Sequence, residues 1–222
     1  MIVIIGNLSY RVNCFKQTSL TIENIEENNN VQIDIIKSQV LLIKNVAQKM
    51  AKIISSMRKL SGDEKTEPHE KINVVELIKD ALLLCEGRMA KCSIHFELIT
   101  EFQENAYITC SQTQINQVII NVLNNAIDAV KDKELKHIII RLEKKNNLVQ
   151  IIIEDSGGGI PPNIAKRIFE PKFTTKSLAQ GTGLGLAISK KIIEQNHGGT
   201  LTLDNSKKGS TIFVITLPIG EN

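Results

Sequence analysis

The sequence predicts an α+β fold: a helical hairpin followed by a two-layer α/β sandwich, with helices on one face of a mixed sheet. Three features carry that prediction. Apolar residues recur every three or four positions through a long early stretch. From Ile72 onward, helix-like and strand-like patterns alternate. Short glycine clusters fall just after a strand pattern or just before a helix pattern.

The first thirty residues can be drawn as a helix from Ile2 to Leu20 with a Leu8, Val12, Phe15 stripe, then a polar turn at Glu26–Asn30. The next helix is clearer. Ile36, Val40, Ile43, Val46 or Ala47, Met50, Ile53 or Ile54, Met57 and Leu60 form one face, with lysines and glutamines on the other, over roughly 28 residues. So long a helix has a seam but no local globule to cover it, so it is expected to pair with the first segment and with a second chain, as a homodimer. The polar stretch 64–71, containing Pro68, reads as a linker between a hairpin over 1–63 and a domain over 72–222.

Within that domain, Val74–Leu84 reads as a helix, Ser93–Ile99 as a strand, Ser111–Val130 as a long helix and His137–Glu143 as a strand. Leu148–Glu154 is an apolar strand that runs into Asp155-Ser156-Gly157-Gly158-Gly159. A helix around Asn163–Ile168 precedes a loop rich in Lys, Thr and Gly. Leu184–Gln195 is a further helix, and Thr200–Leu203 and Thr211–Leu217 are closing strands. A dinucleotide-type parallel sheet fits badly, because no GxGxxG opens the helix after the glycine cluster.

Composition removes several function classes. The net charge of +3 comes from 27 basic and 24 acidic residues, with no basic run, which argues against nucleic acid or an anionic membrane as partner. Cys14, Cys85, Cys92 and Cys110 are scattered singly, so free thiols are expected rather than a disulfide or zinc framework. The apolar run Met1–Ile5 is far short of the ~20 residues that span a bilayer and lacks the features of a signal peptide. A cytoplasmic location without membrane contact is expected, alone or as part of a larger membrane-associated sensor.

Four segments carry the chemistry. In Gln117–Ala129, Asn121 and Asn125 share one helix face while Val118, Val122 and Ala126 share another. Two amides one turn apart suit a phosphate chain and its metal, although surface asparagines on an amphipathic helix would look the same. Asp155 ends a strand, where its carboxylate could accept a hydrogen bond from an exocyclic amine, the feature that separates adenine from guanine; Gly157 and Gly159 would let the backbone approach the base. A plain glycine-rich turn is the alternative. The third segment, Ile168-Phe169-Glu170-Pro171-Lys172-Phe173-Thr174-Thr175-Lys176, runs through a lid at Ser177–Gln180 into Gly181-Thr182-Gly183-Leu184-Gly185-Leu186-Ala187-Ile188. Gly183 and Gly185 straddle a helix start whose free N–H groups would face phosphates. No GKS or GKT follows, so this is not a Walker A loop. The fourth, His197-Gly198-Gly199 with Gly209-Ser210-Thr211, reads as turn and packing positions.

In that order the segments resemble the N, G1, F and G2 boxes of the sensor histidine kinases, within the wider group of gyrase, Hsp90 and MutL ATPases. The resemblance covers Ile72 to Pro218, and FEPKFTTK...GTGLGLAI is its most specific string. It implies an ATP-binding catalytic domain of the histidine kinase/Hsp90-like type, with ATP and Mg2+ as cofactors. It also implies phosphoryl transfer to a histidine, and a response-regulator receiver as partner. Asn125 would ligate magnesium, Asn121 hold the phosphates, Asp155 read the adenine amine, and Gly157 and Gly159 shape the base pocket. Lys176, Gly181, Gly183 and Gly185 would belong to the lid and its hinge. Asn121, Asn125 and Lys176 would be the catalytic residues. Nucleotide contacts are implied also for Asp128, Ile160, Phe169, Thr174, Thr175, Thr182, Leu184, Leu186 and Thr211. Lys172 departs from the pattern, standing where the family usually has an aromatic or apolar residue.

Upstream, Gln48–Ser61 resembles the end of the second helix of the dimerisation and phosphoacceptor hairpin, and Ile5–Tyr10 the stretch that follows the family's H box. On that alignment the acceptor histidine would fall just before Met1. None of His69, His95, His137 or His197 lies on the hairpin helices with Glu as the next residue, so no phosphoacceptor is expected within this chain. A catalytically silent ATP-binding or scaffold module and a non-kinase ATPase of the same superfamily remain as alternatives.

Overall fold

The computed structural model describes residues 36–43, 46, 68–101, 106–176 and 182–220. The chain divides into two units, Met1–Gly62 and Asp63–Asn222. In the first, residues 36–43 are helical, and Ile36, Leu41, Leu42, Ile43 and Val46 are exposed. The rest of the expected hairpin, Cys14 and the stretch likened to the H box's sequel lie outside the described residues.

The second unit is a helix layer on a sheet. Strand β1 (Glu70–Asn73) leads into helix α1 (Val74–Lys91), then β2 (His95–Thr100), β3 (Tyr107–Cys110) and helix α2 (Gln112–Val130). Strands β4 (His137–Lys145) and β5 (Leu148–Asp155) form a hairpin. After it come the short helix α3 (Pro162–Ala165), helix α4 (Gly185–Lys191) with a π-helical turn Ile192–Asn196, and strands β6 (Thr200–Asp204) and β7 (Thr211–Pro218). The main sheet has the order β2-β4-β5-β7-β6, parallel between β2 and β4 and antiparallel elsewhere. Strands β1 and β3 form a separate antiparallel pair, joined to the end of β7 by a bridge from Ile108 to Ile219.

Each major helix starts at a capping side chain. Asn73 accepts from the backbone N–H groups of Val75 (2.9 Å) and Glu76 (3.4 Å), and Ser111 Oγ accepts from Gln114 N (3.3 Å). Helix α2 buries Ile115, Val118, Ile119, Val122, Leu123, Ala126, Ile127 and Val130, a stripe wide enough to pack on α1, β4 and β5. The sheet answers with Ile138, Ile140 and Leu142 from β4 and Val149, Ile151 and Ile153 from β5. Each such side chain contributes roughly 1.5–3 kcal/mol when fully buried. On the opposite face of the sheet Glu154 is buried but paired. Burial alone would raise its pKa; hydrogen bonds from Lys207 and Arg141 (2.8 Å from Arg141 Nη2) bring it below the usual carboxylate range.

Several elements differ from their sequence-based limits. Helix α1 runs seven residues past Leu84, because Cys85 and Met89 continue its buried stripe; it stops where Ser93 takes a left-handed φ of 54°. Strand β1 starts at Glu70, within the stretch read as linker, and β3 was not anticipated. Helix α3 is only four residues long, and the last turn of the Leu184–Gln195 helix is π-helical rather than α. The expected free thiols are seen at Cys85, Cys92 and Cys110. Among the described residues no helix is long and apolar enough to cross a membrane.

Candidate functional site

Helix α2 presents its amides and carboxylate toward α1, α4 and the loop after α3. Asn121 Nδ2 donates to Ser189 Oγ of α4 at 3.0 Å. A Cβ on Gly185 would run into the Asn121 side chain, so the start of α4 lies directly against that amide. One turn along, Lys176 Nζ donates to Asn125 Oδ1 at 3.1 Å and to Asp128 Oδ2 at 2.7 Å. Asp128 Oδ1 takes Arg88 from α1 at 2.5 Å and Lys131 at 3.4 Å, and Arg88 also bonds Asn124. Burial would raise the Asp128 pKa, but the Lys176 hydrogen bond and the charges of Lys176, Arg88 and Lys131 outweigh it and lower it. Lys176 thus places one cation between an amide oxygen and a carboxylate oxygen, a donor pair that also suits a hard divalent ion.

The other half of the site sits at the end of β5. Asp155 pairs in register with Ile138 on one side and Thr211 on the other. It is buried, accepts from Gly157 N at 2.9 Å and from the Thr211 hydroxyl, and has its pKa pushed up to about 6. Burial is the main cause, with Glu154's charge adding to it; the two hydrogen bonds act the other way. A buried carboxylate short of a cation is suited to accept from a neutral N–H donor. Gly157 lies so close to α2 that a Cβ there would be 2.5 Å from Ala129 Cβ. Gly158 (φ 105°) and Gly159 (φ 83°) hold left-handed backbone that turns the chain back, with Gly158 N donating to Gly209 O at 3.2 Å.

The remaining sequence candidates divide. Thr174 Oγ1 accepts from Lys176 N (3.1 Å) and Thr182 Oγ1 from Leu184 N (3.4 Å), so both hydroxyls shape the loop backbone. Gly183 (φ 65°) fits against the Lys172 and Phe173 carbonyls, where a Cβ has no room. Lys172 itself has φ 68° and an exposed side chain, so its backbone rather than its chemistry meets the neighbouring loop. Leu184 is buried at the start of α4, whose first turn has no side-chain cap. Ile160 and Leu186 are half-buried and Thr175 is exposed. Phe169 packs edge-on against Phe213 with centroids 6.4 Å apart and lines an open groove of about 450 Å³ with Pro162, Ala165 and Leu201. Gly181 and the Ser177–Gln180 segment lie outside the described residues. Sequence reasoning missed Arg88 and Ser189; both reach the site across 40 or more positions of chain, and no local pattern marks them.

The histidines hold other places. His197 Nε2 accepts from Ser111 N (3.1 Å) and its Nδ1 lies 2.9 Å from Ile192 O, so a neutral ring ties the end of the π turn to the cap of α2. Burial, the largest cause, lowers its pKa. His69 stacks on it at 4.7 Å, and His95 and His137 begin adjacent strands.

Residues 110–221 match the family model described as histidine kinase-, DNA gyrase B-, and HSP90-like ATPase. Sporulation kinase A of Bacillus subtilis (strain 168) is 32% identical over 192 residues, which cover 86% of this chain and 30% of that protein. The catalytic domain of histidine kinase ThkA, in a nucleotide-free form, superposes with a TM-score of 0.61 at 35% identity, over 68% of this chain and 95% of that domain. ThkA in complex with the response regulator protein TrrA matches over 99% of this chain and 60% of that chain, with a TM-score of 0.68 at 24% identity. This chain therefore spans under a third of its curated relative while containing nearly all of a solved catalytic domain. Its α2 amides, Asp155 turn and glycine-flanked α4 fall within residues 110–221, the stretch that matches the family model, and the chain belongs to the family of histidine kinase-, DNA gyrase B- and HSP90-like ATPases, with a catalytic domain of the protein histidine kinase type.

Proposed function

We propose that the second unit binds ATP with magnesium and positions it for transfer of the γ-phosphoryl group to a histidine outside the residues of this chain, upstream or on a partner. One observation carries the reading: the oxygens of Asn125 and Asp128 converge on a cation, while a second, buried carboxylate waits at the adjoining strand end. The residues fit the group. The Asn125 and Asp128 oxygens match magnesium's preference for hard donors, and the Lys176 ammonium marks where positive charge is already accommodated. The glycine turn beside Asp155 leaves backbone, rather than side chains, to meet a flat base.

Bound Mg-ATP would supply the transferable phosphoryl group and a neutralising dication. Asn121 and Asn125 would hold the phosphate chain and its metal, and Asp155 would accept from the adenine amine. Lys176, freed from Asp128, would offset charge on the terminal phosphate. Gly183 and Gly185 would allow the backbone at the start of α4 to approach the phosphates. None of the four histidines lies on a helix, and both ring nitrogens of His197 are engaged, which supports an acceptor elsewhere. A response-regulator receiver is the downstream partner that this reading implies, and ThkA's complex with TrrA supports it by analogy. The exposed apolar residues of 36–46 support assembly as a homodimer.

A fluorescent ATP analogue tests the binding step. Wild-type protein should give a saturable, magnesium-dependent signal, and Asn125→Ala or Asp155→Ala should remove it. An equal signal in both folded variants would overturn the assignment. Labelled ATP, with a partner bearing a hairpin histidine, then separates a kinase from the rival functions: acid-labile label supports transfer, ADP release without label indicates a plain ATPase, and binding alone indicates a scaffold.

A further inference from the structure

We propose that His95, Glu97 and His137 form a second metal site, for a zinc-class divalent cation, on the face of the sheet opposite the helices. The parallel pairing of β2 with β4 sets His95 directly beside His137. Side chains alternate along a strand, so Glu97, two residues beyond His95, shares their face. The sheet thereby brings two imidazoles and a carboxylate together, each offering a ligand atom within 4.8 Å of the others.

The separations suit a small tetrahedral ion. Glu97 Oε1 lies 3.5 Å from His95 Nε2 and 3.3 Å from His137 Nε2. Zinc bonds of about 2.0–2.2 Å at tetrahedral angles place neighbouring donors roughly 3.3–3.5 Å apart. The two rings stand 5.2 Å apart and are tilted by 33°, so small side-chain rotations bring the third separation into range. A second observation points the same way. His137 Nε2 is shut off from solvent, its approach to Glu97 lacks hydrogen-bond geometry, and among the described residues it has no hydrogen-bond partner. Such a group is costly to leave unsatisfied, and a coordinated ion would satisfy it. The His137 backbone is already fixed, with its N–H on Ser156 Oγ (3.0 Å) and its carbonyl accepting from Ser156 N (3.1 Å).

Imidazole-rich ligation selects zinc and its neighbours over magnesium, so this site is chemically separate from the oxygen set at Asn125 and Asp128. Three protein ligands leave a fourth position for water or another donor. An ion here would clip β2, the edge strand of the sheet, to β4. Zinc chloride alone, titrated calorimetrically into the full chain without nucleotide and with thiols kept reduced, should show one equivalent bound. A His95→Ala/His137→Ala double variant should bind at least tenfold more weakly, and Glu97→Gln should fall between the two. Unchanged affinity in the folded double variant, or no uptake by wild type at micromolar zinc, overturns the proposal. Imidazole nitrogen resonances of the wild type give a reading that needs no variant. Zinc should move those of His95 and His137 and leave His69 and His197 in place; any other pattern refutes the site.

Discussion

Gly157→Ala tests how tightly the glycine turn is pressed against α2. The added Cβ would lie 2.5 Å from Ala129 Cβ, 2.7 Å from Asp155 Oδ1 and 3.2 Å from the Ala129 carbonyl carbon. Carbon atoms prefer about 3.5–4.0 Å, so roughly 1 Å of relief is needed. Ala129 cannot retreat, because Ile127 and Val130 of the same helical turn are fully buried and anchor the helix. The turn must move instead, taking with it the 2.9 Å bond from Gly157 N to Asp155. Overpacking of this kind costs about 1–3 kcal/mol, so a loss of about 2 kcal/mol is expected. In urea that lowers the unfolding midpoint by about 1 M, taking a slope of about 2 kcal/mol per molar. Nucleotide affinity should fall about tenfold or more, since ~1.4 kcal/mol of misalignment suffices for that. A variant with the wild-type midpoint and wild-type affinity would refute the claimed close approach.

Gly87→Ala should act oppositely. Gly87 lies inside α1, and among the described residues no atom comes within 4 Å of where a Cβ would sit, so alanine should raise stability by up to about 1 kcal/mol, read as a higher urea midpoint. Adenine-nucleotide binding should weaken as pH falls through about 6, by about tenfold at pH 5, because protonation of Asp155 removes the acceptor. The fold responds with the other sign: a raised carboxylate pKa holds protons that the unfolded chain releases, so Asp155's contribution to stability declines as pH rises from about 4 to 6. For His197, with a lowered pKa, the unfolded chain binds the extra proton, so stability should drop as pH falls below about 6.5. His197→Ala should cost about 1–3 kcal/mol by removing the buried hydrogen bond that its ring accepts from Ser111 N, and should flatten that part of the pH profile. Lys176→Met should weaken ATP about tenfold, with less effect at high salt, measured by titration at two ionic strengths.

What the sequence made legible is local. Helix α2 was readable end to end because Ser111 caps it and its buried residues keep one period. Asp155 was readable because an apolar strand delivers it to a run of glycines. Strands β1 and β3 were not, since each is four residues long and is held by partners distant in the chain rather than by a pattern of its own. The end of α1 was hidden by Gly87, which looks like a stop signal but sits within a helix held by Cys85 and Met89. Arg88 reaches Asp128 from 40 residues away, and His95 meets His137 only because two strands run parallel; neither has a local signature. Phe169 shows the converse: a motif position whose side chain the fold packs against Phe213.

The most direct test of the account is a calorimetric comparison of ATP and GTP at excess magnesium. On the proposed reading, Asp155 would accept from an amine that adenine carries at this edge of the base and guanine does not. ATP should bind one to one and lose affinity when magnesium is chelated, while GTP should give little heat. Folded protein that takes up no ATP, or binds GTP equally well, would contradict the proposed site.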